Sequence, residues 1–228
     1  MDRILALIPA RGGSKRIPGK NSRPFLGKPI IQYSIDAANS SGLFSEIYLS
    51  TDHEDIAAIG RTVDVKIHNR SSETASDMAT ISDVMKELLA DMQIKQGVLC
   101  MIYATAPFID GEMLNRSYQE FKRSGADSLL PVVRFSFPIQ RALKSDQGWL
   151  SMIKPENMNV RSQDLPPSYH DAGLFFWINI EKFLQTGKIF TDKTWAFEVD
   201  EMYCQDIDTE SDWHIAELKY RILREKKD

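Results

Sequence analysis

Two stretches of this chain hold residue types whose spacing could do chemistry together. The first is Ile8–Asn21, IPARGGSKRIPGKN. Gly12, Gly13 and Gly19 let backbone N–H groups approach an anion closely and permit positive φ. Lys15 and Lys20 supply mobile point charges, and Arg11 can grip a phosphate with two prongs. At about 4 Å and an effective dielectric near 20, each unit charge pair is worth roughly 4 kcal/mol before desolvation. Several such pairs would offset a triphosphate. A Walker loop is excluded, because five residues separate Gly13 from Gly19 and Asn21 follows Lys20 where Ser or Thr belongs. The dinucleotide pattern G-x-G-x-x-G is absent as well. The competing reading is a solvated basic loop. Three glycines, two prolines and no acidic residue in the stretch favour phosphate binding over it.

The second stretch is Asp206-Ile207-Asp208. On an extended segment, positions i and i+2 share a face, so both carboxylates point together and Ile207 points to the core. About 6.6 Å apart, they repel by roughly 2–3 kcal/mol at moderate dielectric. A divalent cation would relieve that repulsion, and magnesium takes one or two carboxylates beside substrate phosphates. The alternative is an acidic turn ahead of a helix, where carboxylates are favoured anyway.

Less specific candidates surround these two. Arg70, in NRSSETASD, could hold a phosphate or neutralise Glu73 or Asp77, and Thr80 follows at a helix start. Arg161, Gln163, Tyr169, His170 and Asp171 form a polar run before an apolar strand, equally readable as a loop with capped turns. The four histidines, His53, His68, His170 and His214, show no metal or triad spacing and read as structural.

The elements that must position these residues alternate. Arg3–Pro9, Glu46–Thr51, Asp64–Ile67, Val98–Ala104 and Ser128–Val133 read as strands. Pro29–Ser40, Glu54–Arg61, Asp77–Met92 and Gly111–Arg123 read as helices. Such alternation implies an α/β domain with a mostly parallel sheet and helices on both faces, with ligands bound beyond the carboxyl ends of the strands. The loop 10–24 and the corners Thr51–Asp52 and Thr105–Pro107 then share one rim. Phe135–Tyr169 breaks the pattern with Pro, Gly and aromatics and reads as an irregular excursion for self-association. Leu174–Ile178 and Ala196–Val199 return as strands. Thr209 and Asp212 open a last helix with a capping-box pattern.

With 228 residues, 43% hydrophobic and 26% charged, the chain suits one globular domain over 1–228. No apolar run approaches the ~20 residues of a membrane span, and a net charge of −4 gives no global sign of nucleic-acid binding. The charge is nevertheless polarised. Arg11, Lys15, Arg16, Lys20, Arg23 and Lys28 fall within 18 residues, while Asp200, Glu201, Asp206, Asp208, Glu210 and Asp212 crowd 13 residues without a Lys or Arg. A polyanion held with a divalent cation fits that division. Cys100 and Cys204 lack metal-ligand spacing and read as reduced thiols of a cytoplasmic protein.

IPARGGSKRIPGKN, followed by Gly27-Lys28-Pro29-Ile30, resembles the signature of the CMP-sialic acid synthetase family of cytidylyltransferases. Ser50–Asp52, Ser71–Asp77, Thr105–Pro107 and Asp206–Asp208 match the later landmarks of that family in order. The resemblance implies a single Rossmann-like nucleotidyltransferase domain. It implies CTP contacts from Arg11, Gly12, Gly13, Ser14, Lys15, Lys20, Asn21, Arg70 and Thr80, with Lys20 at the phosphates. Asp206 and Asp208 match the family's magnesium ligands. Tyr103, Thr105, Arg161, Gln163, Tyr169, His170 and Asp171 fall where an acidic sugar is received. The implied reaction is in-line attack of the sugar's anomeric hydroxyl on the α-phosphorus of CTP, in a homodimer whose 135–169 excursion reaches towards the partner. Sialic acid synthetases typically carry Gln-Pro-Thr-Ser-Pro-Leu-Arg where this chain has Tyr103–Ile109, which puts Tyr for Gln and removes a guanidinium at Ile109. YATAPF, RSQDL and YHDAG resemble the pseudaminic acid branch instead.

Overall fold

Strand formation begins where β-branched and large apolar residues can be buried on both faces of a sheet. β1 (Ile4–Pro9) is such a run, and Leu5 through Ile8 are fully buried. The computed structural model describes residues 3–14 and 16–225. After β1 come the short pair β2 (Pro24–Phe25) and β3 (Lys28–Pro29), then α1 (Ile30–Ser41), β4 (Glu46–Thr51), α2 (Glu54–Arg61) and β5 (Lys66–Asn69). The chain continues through α3 (Ile81–Asp91), β6 (Val98–Ile102), α4 (Gly111–Ser124) and β7 (Ser128–Arg134). The remaining elements are β8 (Leu143–Asp146), β9 (Trp149–Met152), β10 (Tyr169–Asp171), β11 (Phe175–Asn179), α5 (Ile180–Thr186), β12 (Thr194–Glu198) and α6 (Glu210–Glu225).

Eight strands form one mixed sheet in the order β10-β7-β11-β6-β1-β4-β5, with β12 also on β7. β1, β4, β5 and β6 run parallel, as the alternation requires, and β12 is parallel to β7. β11 lies antiparallel between β6 and β7. β10 continues the β11 side of β7, with Tyr169 opposite Arg134 and Ile178 opposite Ser128. The break between them falls at Gly173, whose φ of 65° lies in the left-handed region.

One apolar cluster, including Ile8, Leu49, Cys100, Leu114 and Trp177, lies against α1 and α4. A second, including Leu7, Met85, Leu88, Phe176 and Phe183, lies against α3 and α5. The expected layering with helices on both faces is therefore present. A third cluster gathers Ile17, Phe25, Ile30, Phe108, Ile207 and Trp213.

Local boundaries differ where side chains compete for the backbone. The helix expected from Asp77 starts at Ile81, because the Thr80 side chain accepts from Asp83 N and the Asp83 side chain accepts from Thr80 N. Thr209 and Asp212 form the same reciprocal pair ahead of α6. The excursion is not wholly irregular: β8 and β9 make a hairpin whose turn residues Gln147 and Gly148 both have positive φ, 47° and 90°. Ile109 is 5% exposed and packs in the core, so the expectation that it faces the acceptor rim is corrected.

At the amino ends of the parallel strands, Glu46 bridges Arg3 and Lys66 and so ties the starts of β1, β4 and β5. The Lys66 and Arg3 hydrogen bonds pull the Glu46 carboxyl down to about 2. A carboxyl depressed on folding stabilises above its unfolded value and loses that contribution as pH falls through its folded one. Discounted for solvent screening, Glu46→Gln should destabilise by about 1–2 kcal/mol at neutral pH. Urea unfolding across pH should show the gap between variant and parent closing between about 4.5 and about 2; a gap that does not change with pH would refute the ionic explanation.

Candidate functional site

The glycine loop leaves β1 at the carboxyl edge of the sheet and is pinned from three sides. Gly12 N donates to Asp52 Oδ1 at 2.9 Å, tying the loop to the corner after β4. Asn21 Nδ2 donates to Arg11 O at 2.9 Å, closing the loop on itself. Ile17 is fully buried in the third apolar cluster. A Cβ on Gly12 would come within 2.4 Å of His53 Cδ2, so glycine is required there for close approach. Gly13 has open space around it and Gly19 has a φ of 62°.

Arg11, Ser14, Lys20, Asn21, Arg70, Thr80, Tyr103 and Thr105 line one cleft of about 630 Å³, together with Arg16, Thr74, Ser76 and Asp77. Lys15 lies outside the described residues. Arg11 Nη1 donates to Asp77 Oδ1 at 2.7 Å, across the mouth of the cleft. Arg70 pairs with neither Glu73 nor Asp77 as one sequence alternative had it; its Nη2 donates to Ser50 O at 3.1 Å. Burial pushes the Arg70 guanidinium down from its ordinary value, against the nearby carboxylates of Asp52 and Glu87. Thr80 lines the wall, but its hydroxyl is engaged with Asp83 as a helix cap.

The acidic segment meets this loop directly. Ile207 is 1% exposed while Asp206 is exposed and Asp208 half-buried, the alternation of an extended segment. Lys20 Nζ donates to Ile207 O at 2.5 Å and lies 3.6 Å from Asp208 Oδ1. Arg16 pairs with the other Asp208 oxygen, a contact that sequence reasoning missed. Asp208 N donates to Asp212 Oδ2 at 3.1 Å, so the start of α6 holds the acidic segment's backbone.

Tyr103 follows β6, and its carbonyl accepts from Ser34 Oγ of α1 at 2.8 Å. Burial, and then the carboxylates of Asp171 and Asp206, push its hydroxyl up to about 12. The Cys204 thiol is raised by burial as well, with the same two carboxylates adding to the shift. Tyr103, Asp171, Asp206 and Cys204 therefore share one electrostatic neighbourhood beside the cleft.

The remaining acceptor candidates do not gather there within one chain. Tyr169 and His170 are exposed on β10, and the His170 ring lies 5.0 Å from that of Phe135. Arg161 is exposed and pairs with Asp164 at 2.8 Å. Gln163 borders a separate hollow of about 460 Å³ between the excursion and the ends of β7 and β12. Asp52 and His53 shape the loop; Asp52 was legible only as part of the Thr51–Asp52 corner on the expected rim, and His53 only as a structural histidine.

A family model described as cytidylyltransferase matches residues 5–228. The chain is 37% identical over 227 residues to the pseudaminic acid cytidylyltransferase of Campylobacter jejuni, covering 97% of each. It is 34% identical to N-acylneuraminate cytidylyltransferase A of Danio rerio, over 97% of this chain and 51% of that one. The solved structure of CMP:2-keto-3-deoxy-manno-octonic acid synthetase complexed with CTP superposes with a TM-score of 0.69 at 15% identity, over 98% of this chain and 99% of that one. That last likeness concerns the fold alone.

Proposed function

The chain belongs to the cytidylyltransferase family, and on that premise we propose that it transfers CMP from CTP to the anomeric hydroxyl of an acidic nine-carbon 2-keto sugar, pseudaminic acid, releasing pyrophosphate. The observation that carries this reading is the cleft in which Arg11, Arg70 and Lys20 converge while Lys20 reaches Asp208. Arg11, Arg70 and Lys20 neutralise the triphosphate, while Gly12, whose N–H is held by Asp52, shapes the loop behind them. Lys20 sits between the phosphates and the acidic segment, where charge moves towards pyrophosphate as the bond to the α-phosphorus breaks. The protein contributes mainly alignment and charge neutralisation.

Asp206 and Asp208 are the carboxylates that would hold magnesium, with Asp208 exchanging its contacts to Arg16 and Lys20 for the ion. Among the described residues no three His, Cys, Asp or Glu side chains form a closed cage, and a hard cation sharing its shell with phosphates needs only one or two carboxylates. When bound, it would act as a Lewis acid on the phosphoryl oxygens.

Pseudaminic acid is favoured as acceptor by the Campylobacter jejuni relative's name and by Tyr103. At that position a flat ring with a protonated hydroxyl replaces the amide of the sialic acid enzymes. The Danio rerio relative supports a second reading, the same transfer to N-acetylneuraminic acid, and legionaminic acid belongs with it. An apolar wall rejects an extra hydroxyl only weakly, so discrimination rests on shape as well. The excursion supports a homodimer: Phe137 and Trp149 are each 82% exposed and Leu150 68%, apolar surface that a second copy would cover on the segment that also carries Arg161 and Gln163.

Three measurements test this. Pyrophosphate release from CTP should require magnesium and a nonulosonic acid, with the highest kcat/KM for pseudaminic acid. No release with any of the three sugars would end the enzyme reading, and preference for N-acetylneuraminic acid would end only the acceptor assignment. Asp208→Asn should keep CTP binding measurable and lower turnover at least ~100-fold, so near-normal turnover at low magnesium would rule out the metal role. Light scattering at assay concentration should give the mass of two chains; a fully active monomer would contradict the dimer.

A further inference from the structure

Behind the cleft wall lies a line of buried polar side chains that the proposed transfer leaves without a task. Ser50 on β4 and His68 on β5 are register partners in a parallel pair, so their side chains leave the sheet on one face. Tyr48 on that face belongs to the cluster beneath α3, which ends at Asp91. His68 is 3% exposed and Ser50 0%. His68 Nε2 lies 3.0 Å from Asp91 Oδ2, and Nδ1 lies 3.0 Å from Ser50 Oγ. Ser50 is also the anchor of Arg70, whose Nη2 donates to the Ser50 carbonyl at 3.1 Å and whose Nε reaches Ser50 Oγ at 3.4 Å.

Donor capacity gives this line a direction. The Asp91 carboxylate only accepts, which assigns the imidazole proton to Nε2. In the neutral ring Nδ1 is then an acceptor, to which the Ser50 hydroxyl donates. With its hydrogen committed, Ser50 Oγ turns lone pairs towards Arg70 Nε. Hydrogen bonds thus run from Arg70 to Ser50, to His68, to Asp91, from the cleft to the surface end of α3. The flanking segment is held by the same helix, since Glu87 accepts from Ser71 N at 2.9 Å and from the Thr74 hydroxyl.

We propose that His68 is a positioning residue for nucleotide binding: its ring, fixed between Asp91 and Ser50, sets the direction of the Ser50 hydroxyl and through it the plane of the Arg70 guanidinium that faces the phosphates. The inference rests on the cleft being the CTP site. Removing the ring frees the Ser50 hydroxyl to rotate, and Arg70 keeps its charge but loses one of its two fixed contacts. The effect belongs to CTP affinity and not to the acceptor step.

A double-mutant cycle on CTP binding, read by titration calorimetry beside kcat, KM and thermal midpoint, tests the coupling. His68→Phe should weaken CTP binding about tenfold with kcat changed by no more than about twofold. In an Arg70→Ala background the same substitution should cost no further affinity. Asp91→Asn, at a half-exposed position on α3, is the second arm should His68→Phe fold poorly. It should weaken CTP binding about threefold in the parent and not at all beside Arg70→Ala. Lower thermal midpoints with unchanged CTP affinity, or equal losses in both backgrounds, would overturn the proposal, because a merely structural histidine does not act through Arg70. Parent protein that binds no CTP would overturn the nucleotide reading and this inference together; parent that binds CTP with an additive cycle would overturn this inference alone.

Discussion

Ile17 and Ile207 are seated in the same apolar cluster, and the meeting of Arg16 and Lys20 with Asp208 at the cleft follows from that shared seat. One lies in the basic loop, the other between the two aspartates of the acidic segment, 190 positions further along the sequence. Burying one such side chain is worth roughly 1.5–3 kcal/mol, whereas an exposed ion pair contributes about 0–1 kcal/mol. Packing therefore sets the distance between the opposite charges, and ion pairs only trim it. Trp213 of α6 and Phe108 complete the seat, so the last helix and the strand-end corner are committed to the same geometry.

Each cleft cation among the described residues also has a protein partner: Arg11 with Asp77, Arg16 with Asp208, Lys20 with Asp208 and the Ile207 carbonyl, Arg70 with the Ser50 carbonyl. Long side chains held in this way have surrendered rotamer freedom before any anion arrives, which lowers the entropic cost of binding one. The same pairs exact a competition, since phosphate oxygens must offer more than a carboxylate or a carbonyl already does. A ligand with several charges replaces more of these partners at once than a singly charged one does. The resting pairs thus favour a polyanion, together with the local cluster of cations that lines the cleft.

How far these features were legible varied with how local their causes are. The loop after β1 and the alternation at Asp206–Asp208 are properties of a few consecutive residues, so their conformations were legible, although Gly12 and Gly13 do not line the cleft. Thr209 with Asp212 was likewise legible because a capping box is written within four residues. Glu54–Arg61 fell where periodicity placed it, whereas α3 began four residues late because Thr80 and Asp83 decide its start. α5 went unseen: seven residues give periodicity too little to work on, and Asn179 as its cap carries the signal. Ile109 was misplaced because one residue's direction after a strand depends on how α4 packs. His68 had no sequence signal beyond its type, since Ser50 and Asp91 reach it only through sheet register and helix packing.

Arg134 and Tyr169 are cross-strand neighbours, and Phe135 N donates to Ser168 O at 2.9 Å. The lobe between them therefore leaves and rejoins the sheet at a single point, closed at its neck by the ladder. Lengthening a loop of that kind adds closure entropy only as the logarithm of its length, and no strand register beyond the neck changes. Insertions, deletions and wholesale replacement of 136–167 can accumulate there while the sheet and the glycine loop stay under their own constraints. A lineage can thus remodel the lobe, with whatever it recognises, on a clock separate from that of the nucleotide cleft.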